Sequence, residues 1–360
     1  MKKKIIYHYP GYIENEGQSG SSIRPLKMLN AFKEEGYDVF EVTGDSYTRA
    51  NKSKELLRNI SNGVKYEFCY CENRNIPYSI SDKSHLSFRP FTDFFLFYNL
   101  KKNNIPLGLF YRDIFWLLPE YKVVGAIKSL ILKILFTIEL FLLNKLIKKF
   151  FVPSEIMAEY FPNWFSVPSS PLPPAFDEVK DIKKVGEDLC ITYIGGFGKV
   201  YEMDLFIEAM KKFPGIKFNL CTRKDEWDRH KERFYPLSSN ISVHHISGDE
   251  LEDVIQKTDI FSLIVNPLEF WKFAVPVKLF TYMSFRKPII MTKGIYVEKY
   301  LSDGYVGWSI DYNIESIEKW LRRISEDRFI VEDKIISLKS KSLSHTWCHR
   351  VKQVHNSLHA

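Results

Sequence analysis

The feature that most constrains the fold is a proline cluster near the middle of the chain. Between Ser166 and Asp177 the sequence reads SVPSSPLPPAFD. Four prolines this close together, Pro168, Pro171, Pro173 and Pro174, fix φ and remove backbone donors, so no helix or central strand persists across them. The chain therefore divides here into two units. Its length of 360 residues already favours that division, because a single hydrophobic core rarely serves so long a chain.

The same grammar is written on both sides of the break. The first unit opens with a strand at Lys4 to Tyr9, a loop rich in glycine and serine from Gly11 to Ser22, a helix from about Ile23 to Glu35, and a strand at Asp38 to Thr43. Further strands are expected at Lys65 to Cys71, Leu107 to Arg112 and Lys149 to Pro153. After the prolines come a strand at Leu189 to Ile194, a loop at Gly195 to Glu202, a helix at Met203 to Phe213 and a strand at Ile216 to Cys221. A helix at Asp249 to Lys257, a strand at Asp259 to Val265, a helix at Val277 to Phe285 and a strand at Pro288 to Thr292 complete this second pattern. Strand, loop, helix and strand in this order make right-handed parallel crossovers. The expectation is an α/β protein of two Rossmann-like, doubly wound parallel sheets facing a central cleft. Its domains are residues 1–170 and 189–341, joined by a linker at 171–188.

The apolar fraction is 45% and the charged fraction 26%, a balance for packed globular cores and against disordered or fibrous classes. Five cysteines, an odd number without regular spacing, fit a reduced cytoplasmic protein, and the Cys69/Cys71 pair reads as packing on one strand face. The apolar start, Ile5 to Tyr9, is too short for a signal peptide. The net charge of +7 is concentrated in residues 101 to 150, where nine basic side chains stand against three acidic ones. The most apolar stretch, Val123 to Phe151, lies in the same place. Lys128, Lys133, Glu139, Lys145, Lys148 and Lys149 interrupt it, so no run approaches the roughly 20 residues that span a bilayer. As a helix it would set Lys128 and Glu139 on one face and Lys133 away from them. Two readings fit: a core helix with snorkelling lysines, or a helix lying on an anionic membrane surface. The overlap of basic with apolar residues, rather than a polar basic stripe, argues against nucleic acid as a partner.

Two loops invite an anion. Gly17 and Gly20 allow close approach of the backbone before the first helix, and Ile194-Gly195-Gly196-Phe197-Gly198 stands in the same place in the second unit. A dehydrogenase would need a third glycine where Tyr201 stands and an acidic residue where Cys221-Thr222-Arg223 stand, so a diphosphate fits this loop better than a dinucleotide. The most informative segment is NPLEFWKFAVPVKLFTYMSFRKPII, Asn266 to Ile290. Pro276 pre-sets a helix start and Lys278 lies in its first turn, where a cation is unfavourable against the helix dipole unless an anion joins it.

This segment resembles the donor-binding signature of GT-B glycosyltransferases, in particular the group-one, family-four-like enzymes of bacterial surface-polysaccharide assembly, which often read P-x-K-L-x-E-Y-x-x-x-x-K-P. The likeness extends along most of the chain in the right order. Gly11 to Thr43 matches the glycine-rich opening and the strand reached through Gly36-Tyr37-Asp38-Val39; Ile191 to Ala209 matches the first donor-domain turn. Ile241 to Asp259 matches the nucleobase-side loop and helix, and Tyr300 to Asp311 the turn containing Asp303-Gly304 and Gly307.

The resemblance implies transfer of a sugar from a nucleoside diphosphate donor, UDP or GDP, to a polysaccharide or polyprenyl-linked acceptor at the cytoplasmic face of a membrane. It implies donor-binding roles for Gly20, Gly195, Gly196, Gly198, Arg223, His245, Glu269, Lys278, Leu279 and Thr281. It also implies that a helix within 342–360, carrying Trp347, crosses back onto the first domain.

The chain departs from the pattern at Thr281 and Phe273, where relatives usually carry Glu, and at Gly196 and Tyr201, where many carry Arg and Lys. Thr281 can hydrogen-bond a ribose hydroxyl more weakly than a carboxylate, and Glu269 is the candidate substitute. In the first unit Arg112-Asp113 closes a strand, with Trp116 three residues on, matching the R-D-x-x-W of similar transferases. Asp113 is the candidate general base, with Arg112 beside it and Trp116 on the acceptor side; an Arg-Asp pair that merely holds a loop is the alternative. No Asp-x-Asp and no Cys/His cluster occurs, so no metal cofactor is expected. Rival readings are a sugar-nucleotide epimerase of the same plan, independent of acceptor, and a homologue that has lost catalysis.

Overall fold

A computed structural model of the chain describes all residues except 1, 14–19, 86, 119–124, 181–186, 199, 303–306 and 340–344. The loop containing Gly17 and the Asp303-Gly304 turn therefore lie outside the described residues. The chain divides into two compact units, Met1–Ala175 with His345–Ala360, and Phe176–Ser344.

The first unit holds β1 (Lys4–Tyr9), α1 (Gly20–Glu34), β2 (Asp38–Thr43), α2 (Ser46–Ser61), β3 (Cys69–Glu72), α3 (Thr92–Lys102), β4 (Leu107–Phe110), α4 (Ala126–Leu146), β5 (Lys149–Val152), α5 (Glu155–Ala158) and β6 (Ser169–Pro171). Its parallel strands run in the order β2-β1-β3-β4-β5-β6, so the order reverses between β1 and β3. β6 lies inside the proline cluster. It is an edge strand, where a missing N–H on one side leaves no ladder bond unmade. Cys69 and Cys71 share one face of β3, both buried with sulfurs 3.5 Å apart.

The second unit holds β7 (Leu189–Ile194), α6 (Asp204–Lys211), β8 (Ile216–Cys221), α7 (Lys224–Asp228), β9 (Ile241–His244), α8 (Asp249–Lys257), β10 (Ile260–Leu263), α9 (Val277–Ser284), β11 (Ile289–Thr292), α10 (Lys299–Ser302), β12 (Gly307–Ile310), α11 (Ile314–Glu326) and α12 (Phe329–Lys339). Its strands, again parallel, run β12-β11-β10-β7-β8-β9, reversing between β7 and β10. In doubly wound sheets ligands bind outside the carboxyl ends of the strands at such a reversal. Its core joins β7, α6, β8 and α11 through Ile191, Phe206, Phe218 and Leu321.

The final helix, α13 (Trp347–His359), belongs to the first unit. Thr346 caps it by accepting a hydrogen bond from the His349 amide at 3.2 Å. Trp347, Val351, Val354 and Leu358 fall on one face at helical spacing and join Ile5, Tyr7, Phe32 and Phe68 in one core. Burying each contributes roughly 1.5–3 kcal/mol. Gly108 makes the approach possible: a Cβ there would stand 3.1 Å from the Leu358 methyls and 2.8 Å from the Phe151 ring. Arg350, also buried, donates to the carbonyls of Pro173 (3.0 Å) and Pro174 (3.1 Å), tying α13 to the proline run.

α4 departs from a core helix. It buries Phe136, Glu139, Leu140 and Leu143, while Ile127, Leu130, Ile131, Ile134, Ile138 and Phe141 are exposed, Ile127 to 77%. Along this helix Lys128 is solvated and Glu139 is enclosed.

Candidate donor and acceptor sites

The reversal point of the second sheet gathers the glycine turn and the start of α9. β7 ends at Ile194, and the Gly195 amide extends the ladder by donating to the Cys221 carbonyl at 2.9 Å. Gly195 then turns with φ +144° and Gly198 with φ +127°, angles that side chains rarely tolerate. Tyr201 returns over the turn, its amide bonded to the Gly198 carbonyl at 2.8 Å. Its ring lies where a Gly196 Cβ would come within 3.2 Å.

Into this turn α9 projects Lys278. Its Nζ donates to the Tyr193 hydroxyl and sits 4.0 Å from the centroids of both the Tyr193 and Tyr201 rings. A Cβ on Gly195 would lie 2.7 Å from that nitrogen, so glycine is what admits the ammonium. Burial pushes the Lys278 pKa well below its ordinary value, and the Glu226 carboxylate partly opposes this. Glu226, on α7, accepts from the Phe197 amide at 2.9 Å and from the Arg223 guanidinium, so it braces the turn. Tyr193 donates to the Gly196 carbonyl at 2.6 Å, and Tyr282 bridges the amide and carbonyl of Ile194 at 2.8 and 3.0 Å.

The structure thus brings together Gly195, Gly196, Gly198 and Lys278. Arg223 stands just beyond β8, exposed and already paired with Glu226. His245, just beyond β9, is exposed and bonded through Nδ1 to the Thr222 carbonyl at 2.8 Å. Glu269 is half-buried in a short 3-10 turn and ion-paired with Lys272 at 2.7 Å. Thr281 is exposed one turn after Lys278, and its carbonyl accepts from Ser284 Oγ at 2.7 Å. Leu279 is fully buried, so its side chain belongs to the core and is closed to a ligand. Gly20 is the first residue of α1. Sequence reasoning missed Tyr193 as the hydroxyl partner and Glu226 as the brace.

In the first unit Arg112 and Asp113 follow β4. The Arg112 amide donates to Asn73 Oδ1 at 2.8 Å, and its guanidinium lies 3.6 Å from Glu72 Oε2. Glu72, fully buried at the end of β3, also accepts from Arg24 Nε at 3.1 Å and from the Tyr70 hydroxyl at 2.9 Å. The Arg24 guanidinium carbon lies over the Phe110 ring, 3.5 Å from its centroid. Two arginines therefore converge on one carboxylate at the reversal point of this sheet, an arrangement the sequence reading did not foresee.

Asp113 accepts from the Phe115 amide at 2.9 Å, which starts a short 3-10 turn. Burial raises its pKa well above the ordinary carboxylate value, against the pull of the Phe115 amide and the Arg112 charge. Trp116 donates from Nε1 to the Tyr111 hydroxyl at 3.1 Å and stacks on Phe136 at 5.1 Å with 13° between planes. One of its faces is therefore already taken by α4.

No family model matches the chain, and no curated protein matches its sequence. Solved structures do match, over nearly their whole length. The sucrose-phosphate synthase of Thermosynechococcus elongatus superposes with a TM-score of 0.65 at 11% identity, covering 99% of each chain. HepE of Anabaena, in complex with UDP-glucose, gives 0.63 at 11% identity over 99% of each chain. WaaG, a glycosyltransferase involved in lipopolysaccharide biosynthesis, gives 0.61 at 11% identity, covering 98% of this chain and 99% of its own. The chain has the GT-B fold.

Proposed function

We propose that this chain is a glycosyltransferase that moves a sugar from a nucleoside diphosphate donor, UDP or GDP, onto a polysaccharide or polyprenyl-linked acceptor. The observation that carries this reading is Lys278. Its ammonium is lodged between two tyrosine rings at the mouth of a glycine turn, at the sheet reversal, and no carboxylate among the described residues pairs with it. The turn's backbone amides and that ammonium suit a diphosphate, and they would stabilise the charge on the departing nucleotide without a metal ion. HepE, of the same fold, was solved with UDP and with UDP-glucose, which favours a uridine donor here.

Asp113 is proposed as the base that takes the proton from the acceptor hydroxyl. Its raised pKa makes the carboxylate a better proton acceptor once it is ionised, and Arg112 favours that ionised form. Thermal stabilisation by UDP, GDP, CDP, ADP and NAD, each with EDTA, tests the donor reading. A shift with one nucleoside diphosphate that disappears in Lys278→Ala supports it; a shift with NAD alone, or none, sinks it.

A peripheral position at the cytoplasmic membrane face is part of the proposal. No helix among the described residues is long and apolar enough to cross a bilayer. The exposed apolar side chains of α4, together with Phe91, Phe95 and Tyr98 of α3 and its approach, and the exposed Lys101, Lys128, Lys133 and Lys145 on the same two helices, support this position. Apolar insertion together with attraction to anionic headgroups suits such side chains. Co-sedimentation with phosphatidylglycerol-rich vesicles, weakened about tenfold in the Ile134→Glu, Ile138→Glu double variant, is the expected result. Equal binding by the double variant would overturn the assignment.

A further inference from the structure

The amino-terminal edge of the first sheet carries a cluster that the transfer reaction does not use. His355 and His359 stand one helical turn apart on α13, with rings stacked at 4.1 Å. Glu67 approaches them from the segment before β3, where its amide donates to the Lys4 carbonyl at 2.8 Å at the start of β1. Glu72 ends β3, and Arg112 and Asp113 follow β4, all at the opposite, carboxyl ends of the strands.

The hydrogen bonds fix which atoms face one another. His359 Nδ1 bonds the His355 carbonyl at 2.8 Å, so that nitrogen carries the proton and Nε2 is left with a lone pair. That Nε2 lies 3.8 Å from Glu67 Oε2. His355 Nδ1 is 4.0 Å from the same oxygen and 2.9 Å from the Tyr37 hydroxyl; in the tautomer protonated at Nε2 this nitrogen accepts from that hydroxyl and has its lone pair on the side of the cluster. Glu67 Oε2 is itself shielded from solvent and accepts no hydrogen bond among the described residues, while its other oxygen is held by Lys3 at 3.2 Å. Three potential ligand atoms thus converge, all within 4.8 Å of one another, with the Tyr37 hydroxyl as the one other polar group bonded to them among the described residues. Three acceptors facing one point repel unless a cation sits among them.

We propose that His355 Nδ1, His359 Nε2 and Glu67 Oε2 bind a borderline divalent metal of the zinc type. Two imidazoles and one carboxylate favour such an ion over the harder calcium or magnesium. A water completes the tetrahedron. The His359 Nδ1–H bond to the backbone orients that ring as an outer-shell partner does. The Tyr37 hydroxyl gives up the His355 lone pair and turns to the carboxylate. Small side-chain rotations close the present separations to those of a metal near 2 Å from each ligand. The ion fastens α13 to the start of the sheet, so its role is structural and separate from metal-independent transfer.

The test is zinc affinity of the EDTA-treated full chain, read by competition with a chromophoric chelator and by the melting temperature with and without added Zn2+. One equivalent bound, with affinity at least about tenfold weaker in both Glu67→Gln and His359→Gln, is the expected result. The zinc-dependent rise in melting temperature disappears in both variants, and His349→Gln, on the same helix but outside the cluster, binds as the wild type does. Absence of binding by the wild type, wild-type affinity in either Glu67→Gln or His359→Gln, or an equal loss in His349→Gln overturns the proposal. Melting curves in EDTA establish that each variant is folded. The readout is metal affinity rather than turnover, so failure here leaves the transferase reading untouched.

Discussion

Glu139 offers a test of the first unit that depends on no ligand. It stands mid-helix in α4 at 3% exposure. The Tyr78 amide donates to Oε2 at 2.8 Å, and Oε1 has no hydrogen-bond partner among the described residues. Burial raises its pKa to about 8; the Tyr78 amide opposes the shift and the nearby Asp93 charge adds to it. In the unfolded chain the group titrates near its ordinary value of 4.5. Between these values the folded protein keeps a proton that the unfolded chain releases. The group's contribution is therefore fully present below pH 4.5 and is lost as pH rises toward 8, by about 1.4 kcal/mol per pH unit. Glu139→Gln keeps the shape and the acceptor for Tyr78 but carries no charge. The variant is expected to match the wild type near pH 5 and to exceed it by a few kcal/mol at pH 7.5. Urea unfolding of both proteins at pH 5.5, 6.5 and 7.5, followed by tryptophan fluorescence, isolates the difference because all other groups titrate alike. Parallel stability curves, with one constant offset at every pH, would refute a protonated Glu139.

Three further outcomes follow from the same geometry. Gly195→Ala places a methyl 2.7 Å from Lys278 Nζ at φ +144°, so nucleotide affinity measured by calorimetry falls about tenfold or more, and adding Lys278→Ala causes little further loss because both remove one interaction. Thr281→Glu restores a charged acceptor on the exposed face of α9 and tightens donor binding about fivefold, read as a lower Kd for the nucleotide; unchanged affinity would mean that this face does not meet the ribose. Trp347→Ala empties a buried site shared by α13 and the first sheet and costs about 3–5 kcal/mol in urea unfolding, whereas a change under 1 kcal/mol would mean that α13 does not anchor that core.

The alternation of strand and helix was legible because each strand is a short apolar run bounded by turn residues. β1, β2, β7 and β8 coincide with the expected segments. α2 and α3 were not foreseen. α2 carries a diffuse polar sequence, SYTRANKSKELLRNIS, whose stability comes from Asp45 capping the Thr48 amide at 2.8 Å and from buried Arg49. That arginine donates to both oxygens of Asp93 at 2.8 Å, and Asp93 also meets His8 at 2.7 Å. Although burial alone would raise it, the Arg49 charge holds the Asp93 carboxyl well below its ordinary value. A buried network drawn from β1, α2 and α3 has no local signature, since its members are tens of residues apart. The choice between the two readings of α4 was not legible for a different reason. An apolar sequence says that a surface avoids water, but not whether protein or lipid covers it.

The candidate site divides in the same way. That Lys278 needs an anion followed from its position at a helix start, where the dipole opposes a cation. The structure supplies something weaker than a carboxylate: two ring faces and a hydroxyl, with Glu226 acting on it only from a distance. Aromatic faces attract a cation by about 1–2 kcal/mol and form no salt bridge, so most of its charge is left unanswered. The other cations proposed for donor or diphosphate contact are spent locally, Arg223 on Glu226 and Arg112 toward Glu72. A side chain that is held in place and desolvated, with its charged form disfavoured until a counter-charge arrives, is poised for an incoming phosphate, which favours the ammonium and meets it in a site already built. Replacing Tyr193 by Phe removes the positioning hydroxyl while keeping the ring. Donor affinity then falls with Lys278 still present, and an unchanged affinity would show that the rings alone hold the lysine.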